Sequence, residues 1–130
     1  GYCLGAGIDL ITACDIRVAS ADATFSVRET KMGLVADVGT MQRLPKIIAP
    51  GHVAELVFTG RDIDAAEAER IGLVNRVHDD AEAMMTAVHE MAEEIAIVQC
   101  AGGNEAATRK SEYVGVQDCA AAQLAEDLKR

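Results

Sequence analysis

Aromatic side chains are almost missing from this 130-residue chain: there is no Trp, and Tyr2, Tyr113, Phe25 and Phe58 are the whole complement. Four rings leave almost no platform on which nucleic-acid bases could stack. Positive charge is short as well, with 12 Lys and Arg against 21 Asp and Glu and a formal net charge of −9. A nucleic-acid surface wants a basic stripe, so that class of partner is excluded. No apolar run reaches the roughly 18 residues that a membrane-spanning helix needs. The cysteines, Cys3, Cys14, Cys100 and Cys119, include no C-x-x-C pair, and no histidine stands at metal-ligand spacing from them. At this density a disulfide scaffold is not expected, and they read as reduced thiols of an intracellular protein. The opening residues show no basic stretch leading into an apolar run, so no secretory leader is read there. The chain begins at Gly1, in mid-motif, as a fragment or a processed chain would.

Half of the residues are hydrophobic, and the length fits one domain with its own core. Gly1-Tyr2-Cys3-Leu4-Gly5-Ala6-Gly7 is a glycine-rich loop in which backbone must turn tightly or approach something closely. A helical pattern runs through Ile8–Cys14, and Asp15–Ala19 reads as a short strand. Thr24–Glu29 alternates polar and apolar, which predicts a strand with Phe25 and Val27 on one face. A glycine-punctuated loop over Met32–Thr40 leads into a short helix ending near Leu44-Pro45. A helix over about His52 to Phe58 is closed by Gly60. Asp64-Ala65-Ala66-Glu67 resembles a capping box and starts a helix that Gly72 ends, with an extended segment over Leu73–Val77 beyond it. Asp79-Asp80 caps a long helix to about Gln99, on which Met84, Val88, Met91, Ile95 and Val98 make one apolar stripe. Gly102-Gly103-Asn104 is a break, and a last helix is expected over Asp118–Lys129. Strands in front and helices behind predict an α/β class with a helical region at the C-terminal end.

Three acids sit where chemistry could use them. Asp9 follows Gly5-Ala6-Gly7, whose main-chain N–H groups at a helix start are free to meet an anion or a developing oxyanion. Leu10 stands where G-x-G-x-x-G needs its last glycine, so this is not the dinucleotide fingerprint. The plainer reading is a tight turn feeding a helix, with Asp9 favoured by the helix dipole. Glu29 is placed at a strand end, where side chains often face a cleft; otherwise it is a solvated charge beside Arg28 and Lys31. Asp37 lies in the glycine-flanked loop, either as the N-cap of a helix beginning at Val38 or as a functional carboxylate. Leu34, Val35, Ala36 and Val38 surround it with apolar groups, so the sequence predicts that it loses water, a usual preparation for acid–base work. His52, His78 and His89 read as surface or capping residues, and no G-x-S-x-G elbow is present.

Gly1–Leu10 followed by Cys14-Asp15-Ile16-Arg17-Val18-Ala19 resembles the central signature of the crotonase (enoyl-CoA hydratase/isomerase) family. Gly33-Leu34, Gly39–Pro45 and the Gly60-Arg61 to Val77 stretch continue the resemblance in order, over roughly residues 1 to 97. It implies an α/β crotonase-like (ClpP/crotonase) fold, of which this chain is the C-terminal half. Residues 1–78 would carry part of the ββα spiral core, and residues 79–130 a helical region serving oligomerisation. The family's first βαβ units, which supply the other oxyanion donor and much of the coenzyme A pocket, would precede Gly1, and past Ile97 the motifs no longer track.

The acids imply a branch within the family. Hydratases carry Glu at the position of Asp9, Glu at that of Glu29, and usually Gly at that of Asp37. The combination Asp9, Glu29 and Asp37 resembles the branch that converts 3,5-dienoyl-CoA to 2,4-dienoyl-CoA in fatty-acid β-oxidation. The resemblance implies a proton moved from C2 to C6 through a thioester enolate, with Asp37 provisionally at C2, Glu29 at C6 and Asp9 a supporting buried acid. The N–H of Ala6, between Gly5 and Gly7, would hold the enolate oxygen. No metal or redox cofactor is implied, because a proton shift needs only acids, bases and an oxyanion site. The implied partners are an acyl-CoA substrate and further copies of the chain, as a homotrimer or homohexamer, with no nucleic acid and no membrane. Such enzymes occur in the bacterial cytosol, mitochondria and peroxisomes. Hydration of a 2-enoyl-CoA is the alternative reaction, and a truncated module that binds acyl-CoA or only assembles is the alternative of another class.

Overall fold

The computed structural model describes residues 1–101. The expected break at Gly102-Gly103-Asn104, the expected helix over 118–129 and the thiols of Cys100 and Cys119 lie outside the described residues. Gly1–Met84 form one compact unit, and a second begins at Met85. In chain order the elements are β1 (Tyr2–Leu4), α1 (Ala6–Thr12), β2 (Val18–Ser20), β3 (Thr24–Ser26), α2 (Thr40–Arg43), α3 (Pro50–Thr59), β4 (Ile63–Asp64), α4 (Ala65–Arg70), β5 (Arg76–His78) and α5 (Ala81–Ala101). Short 3₁₀ turns cover Glu29–Met32 and Leu44–Lys46.

Two small sheets carry the first unit. β1 pairs in parallel with β3, with Cys3 opposite Phe25 and Leu4 opposite Ser26, and β3 pairs antiparallel with β4. β2 pairs in parallel with β5, with Ala19 opposite Val77. The strand expected from Asp15 starts only at Val18. Arg17 is turned aside: its N–H donates to Asn75 Oδ1 at 2.8 Å and its Nε to the Leu73 carbonyl at 2.7 Å. Ladder pairing therefore begins one residue later, opposite Arg76.

Phe25 and Val27 are both buried, as the alternation predicts, among Ile8, Leu44, Leu56, Ile63, Leu73 and Val74. Each such side chain contributes about 1.5–3 kcal/mol by leaving water, so this cluster is what holds two three-residue ladders together. The buried Ser26 satisfies its hydroxyl on the Gly60 carbonyl at 2.9 Å. The strand expected to run to Glu29 stops at Ser26, and the chain tightens into the 3₁₀ turn at Glu29.

Local signals in the sequence set the helix ends. Pro50 opens α3, and Gly60 closes it at φ 57°, a conformation that costs only glycine nothing. Asp64 Oδ1 accepts the Glu67 N–H at 2.7 Å, which caps α4. The other half of the capping box does not form, because Glu67 pairs instead with Arg61 at 2.6 Å and Arg70 at 3.1 Å. The hydrogen bond from Arg61 holds the Glu67 carboxyl below its ordinary range, against the opposing effect of burial. Asp80 Oδ1 accepts the Ala83 N–H at 2.8 Å at the start of α5. Along the expected apolar stripe Met84, Val88 and Met91 are half-buried and Ile95 is exposed.

Candidate active site

The carboxyl ends of β1 and β3 lie side by side because the two strands are parallel and in register. Ligand sites collect at such ends, since the chain leaves the sheet there and turns. After β1, Gly5 turns at φ 54° and donates its N–H to the Ser26 carbonyl at 2.9 Å. α1 then starts at Ala6, which is exposed, and among the described residues the Ala6 N–H has no acceptor. After β3, Val27 is buried and Glu29 opens the 3₁₀ turn. The Glu29 carbonyl accepts the Leu34 N–H at 2.9 Å, which folds the next loop back over the turn.

Glu29 is not the solvated charge that its sequence neighbours suggest. It is 8% exposed, and its Oε2 is buried without a hydrogen-bond partner. Its Oε1 lies only 3.2 Å from where a Cβ on Gly5 would stand, so the missing side chain of Gly5 makes room for the carboxylate. A left-handed φ and this contact together predict that Gly5→Ala costs about 1–3 kcal/mol. Urea unfolding of the two proteins is the measurement.

Arg28, beside Glu29, does not pair with it. Arg28 bonds Asp62 at 2.5 Å, and Lys31 stands 3.9 Å from the same carboxylate. That hydrogen bond from Arg28 keeps the Asp62 carboxyl below the usual range. Both cations are thus drawn off toward Asp62, and Glu29 Oε2 is left unpaired.

Asp9 is buried on the first turn of α1, and its Oδ1 accepts two bonds from Thr40: the N–H at 2.7 Å and the hydroxyl at 2.6 Å. Of the two readings of Asp37, the helix cap does not hold. α2 starts at Thr40, not Val38, and Asp9 supplies the cap from 31 residues away. Asp37 itself is exposed, and so are Leu34, Val35 and Val38. The expected loss of water at Asp37 is therefore not found. Only Ala36 of its apolar neighbours is buried, and the Asp37 N–H closes a tight turn onto the Val35 carbonyl at 2.9 Å.

Glu29, Asp37, Asp9, Gly5 and Ala6 nonetheless line one cleft of about 610 Å³, together with Leu4, Arg28, Lys31, Met32 and Leu34–Val38. Gly7 is not among its lining residues, and neither is any of the three histidines. The cleft combines acids and an unengaged main-chain N–H with a mostly apolar wall. That combination can take up and release protons beside a group that accepts a hydrogen bond. Cys3 lies behind α1, half-buried, and burial pushes its thiol above the ordinary range. Among the described residues no three His, Cys, Asp or Glu side chains come together to hold a metal ion, and no helix is long and apolar enough to cross a membrane. Sequence reasoning missed Thr40 and Arg43, which bind the site's segments to one another.

The sequence model described as enoyl-CoA hydratase/isomerase matches residues 1–123, beyond the point near Ile97 where motif reading stops. The mitochondrial Delta(3,5)-Delta(2,4)-dienoyl-CoA isomerase of Dictyostelium discoideum is 51% identical over 96 residues, covering 74% of this chain and 33% of its own. The human protein of the same description is 53% identical over 96 residues, covering 73% of this chain and 29% of its own. The crystal structure of an enoyl-CoA hydratase from Bacillus anthracis superposes with a TM-score of 0.69 at 41% identity, covering 74% of this chain and 37% of that one. The chain spans about a third of the length of the curated relatives it matches.

Proposed function

Since the chain belongs to the enoyl-CoA hydratase/isomerase family and has part of the crotonase fold, we propose that it carries the acid–base half of a dienoyl-CoA isomerase site. The substrate is a 3,5-dienoyl thioester of coenzyme A and the product its 2,4-isomer. A base takes one proton from C2, and the electron pair moves onto the thioester oxygen to give an enolate conjugated with the diene. The enolate collapses with delivery of one proton to C6, so atoms and charge balance without metal or redox cofactor. The Ala6 N–H is the donor to the thioester oxygen.

The contact between Glu29 and Gly5 supports the reverse of the carboxylate order expected from the sequence. C2 is bonded to the thioester carbon, so its base must sit beside the oxyanion donor. Glu29 packs on Gly5, the residue just before Ala6, and its unpartnered Oε2 leaves a lone pair free for a proton. Glu29 is then the base at C2, and Asp37, on the same cleft and open to solvent, is the acid at C6. Asp9 spends Oδ1 on Thr40 and positions the loop. The single observation that carries the reading is this buried, unpaired Glu29 sharing a cleft with Asp37 and the Ala6 amide. Assembly into homotrimers or pairs of trimers accords with the family resemblance.

The test is turnover by the full-length protein. A 3,5-dienoyl-CoA is expected to gain the ultraviolet absorbance of a 2,4-dienoyl thioester. Addition of water to a 2-enoyl-CoA, with no change in the diene, would replace the isomerase by a hydratase. Binding of acyl-CoA with neither reaction would make the chain a non-catalytic module.

A further inference from the structure

Arg43 is a cation for which the reaction above has no use. It is half-buried at the end of α2, and no carboxylate pairs with it among the described residues. Its guanidinium goes to main-chain and hydroxyl oxygens instead. Nη2 donates to the Asp9 carbonyl at 2.8 Å and to the Val38 carbonyl at 3.1 Å, and Nε reaches Thr12 Oγ1 at 3.3 Å. Asp9 and Thr12 belong to α1, the helix that begins with the Ala6 amide, whereas Val38 follows Asp37 directly. The side chain lies across Gly39, which sits at φ 117° and where any Cβ would collide with the guanidinium. Glycine at that position and arginine four residues on therefore fit each other sterically.

From this geometry we infer that Arg43 is a positioning residue, a strap that sets the span between the Asp37 carboxylate and the amide on α1. The inference rests on the proposed isomerase reading. A planar fork with several donors can hold two carbonyls of different segments at once, which a lysine ammonium on a flexible stem cannot do in the same geometry. Loss of the strap leaves every reacting group in the cleft but lets the distance between them drift. A misplacement of the order of 1 Å costs roughly a hundredfold in rate.

Arg43→Lys in the full-length protein keeps the charge and most of the stem. Its kcat is expected to fall by roughly ten- to a hundredfold while KM changes little. Backbone amides of residues 36–39 are expected to exchange with deuterium faster, with α3 and α4 unchanged. Arg43→Ala is expected to recover part of its kcat when guanidinium ion is added at low concentration. Unchanged kcat with unchanged exchange over 36–39 would overturn the inference, as would a joint collapse of kcat, KM and melting temperature without rescue. If the unmodified protein isomerises no 3,5-dienoyl-CoA, the isomerase reading has failed. The exchange experiment then still decides the strap, present if 36–39 loosen and absent if they do not.

Discussion

Asp37→Asn is expected to lower formation of the 2,4-diene by roughly 10²–10⁴-fold, the range a positioned acid or base contributes. The substitution keeps the shape of the side chain and removes only the proton it can deliver. Asp37 is exposed, and its carboxylate makes no hydrogen bond among the described residues, so folding should be untouched and melting temperature should match the parent. In the proposed reaction this residue serves the far end of the diene. A reaction confined to C2 and C3, such as hydration, has no use for it. Unchanged isomerisation by Asp37→Asn, followed at the diene absorbance, would remove Asp37 from the mechanism.

Glu29→Gln is expected to do more. It acts before Asp37 in the sequence of steps, so no enolate forms, and again roughly 10²–10⁴-fold or more is lost. Its structural effect has the opposite sign from most core substitutions. The parent buries a carboxylate oxygen without a partner, and a neutral amide of the same shape is cheaper to bury. Glu29→Gln is therefore expected to melt at or above the temperature of the parent while turning over almost nothing. A protein that keeps its activity, or one that loses activity only by unfolding, would contradict the role given to Glu29.

The parts of this molecule that could be read from the sequence are those written in neighbouring residues. Gly60 as a helix stop, Asp64 and Asp80 as N-caps, and Phe25 with Val27 on one buried face each follow from spacings of four residues or fewer. The glycine loop entering α1 follows from its own residues as well, and the three acids singled out in the sequence line one cleft. The errors fall where a distant partner decides. One of the two readings of Asp37 makes it the N-cap because it precedes the helix, yet Asp9 reaches across from α1 to take both Thr40 donors. Charged neighbours offer Glu29 to solvent as one of its two readings, yet Arg28 and Lys31 turn to Asp62. The apolar residues around Asp37 were expected to dry it, but three of them face outward in a loop that buries only Ala36. The order proposed for the two carboxylates rests on the packing of Glu29 against Gly5, and a linear string holds no such contact.

Two carboxylates working at opposite ends of one diene is the claim on which the rest stands, and proton tracing by NMR in deuterium oxide tests it most directly. With Asp37→Asn, the C2 protons of 3,5-dienoyl-CoA should still exchange for deuterium while no 2,4-isomer accumulates. With Glu29→Gln, neither exchange nor product should appear. Loss of C2 exchange in Asp37→Asn together with its retention in Glu29→Gln would reverse the two roles, and retention of both exchange and product in either variant would contradict the pair.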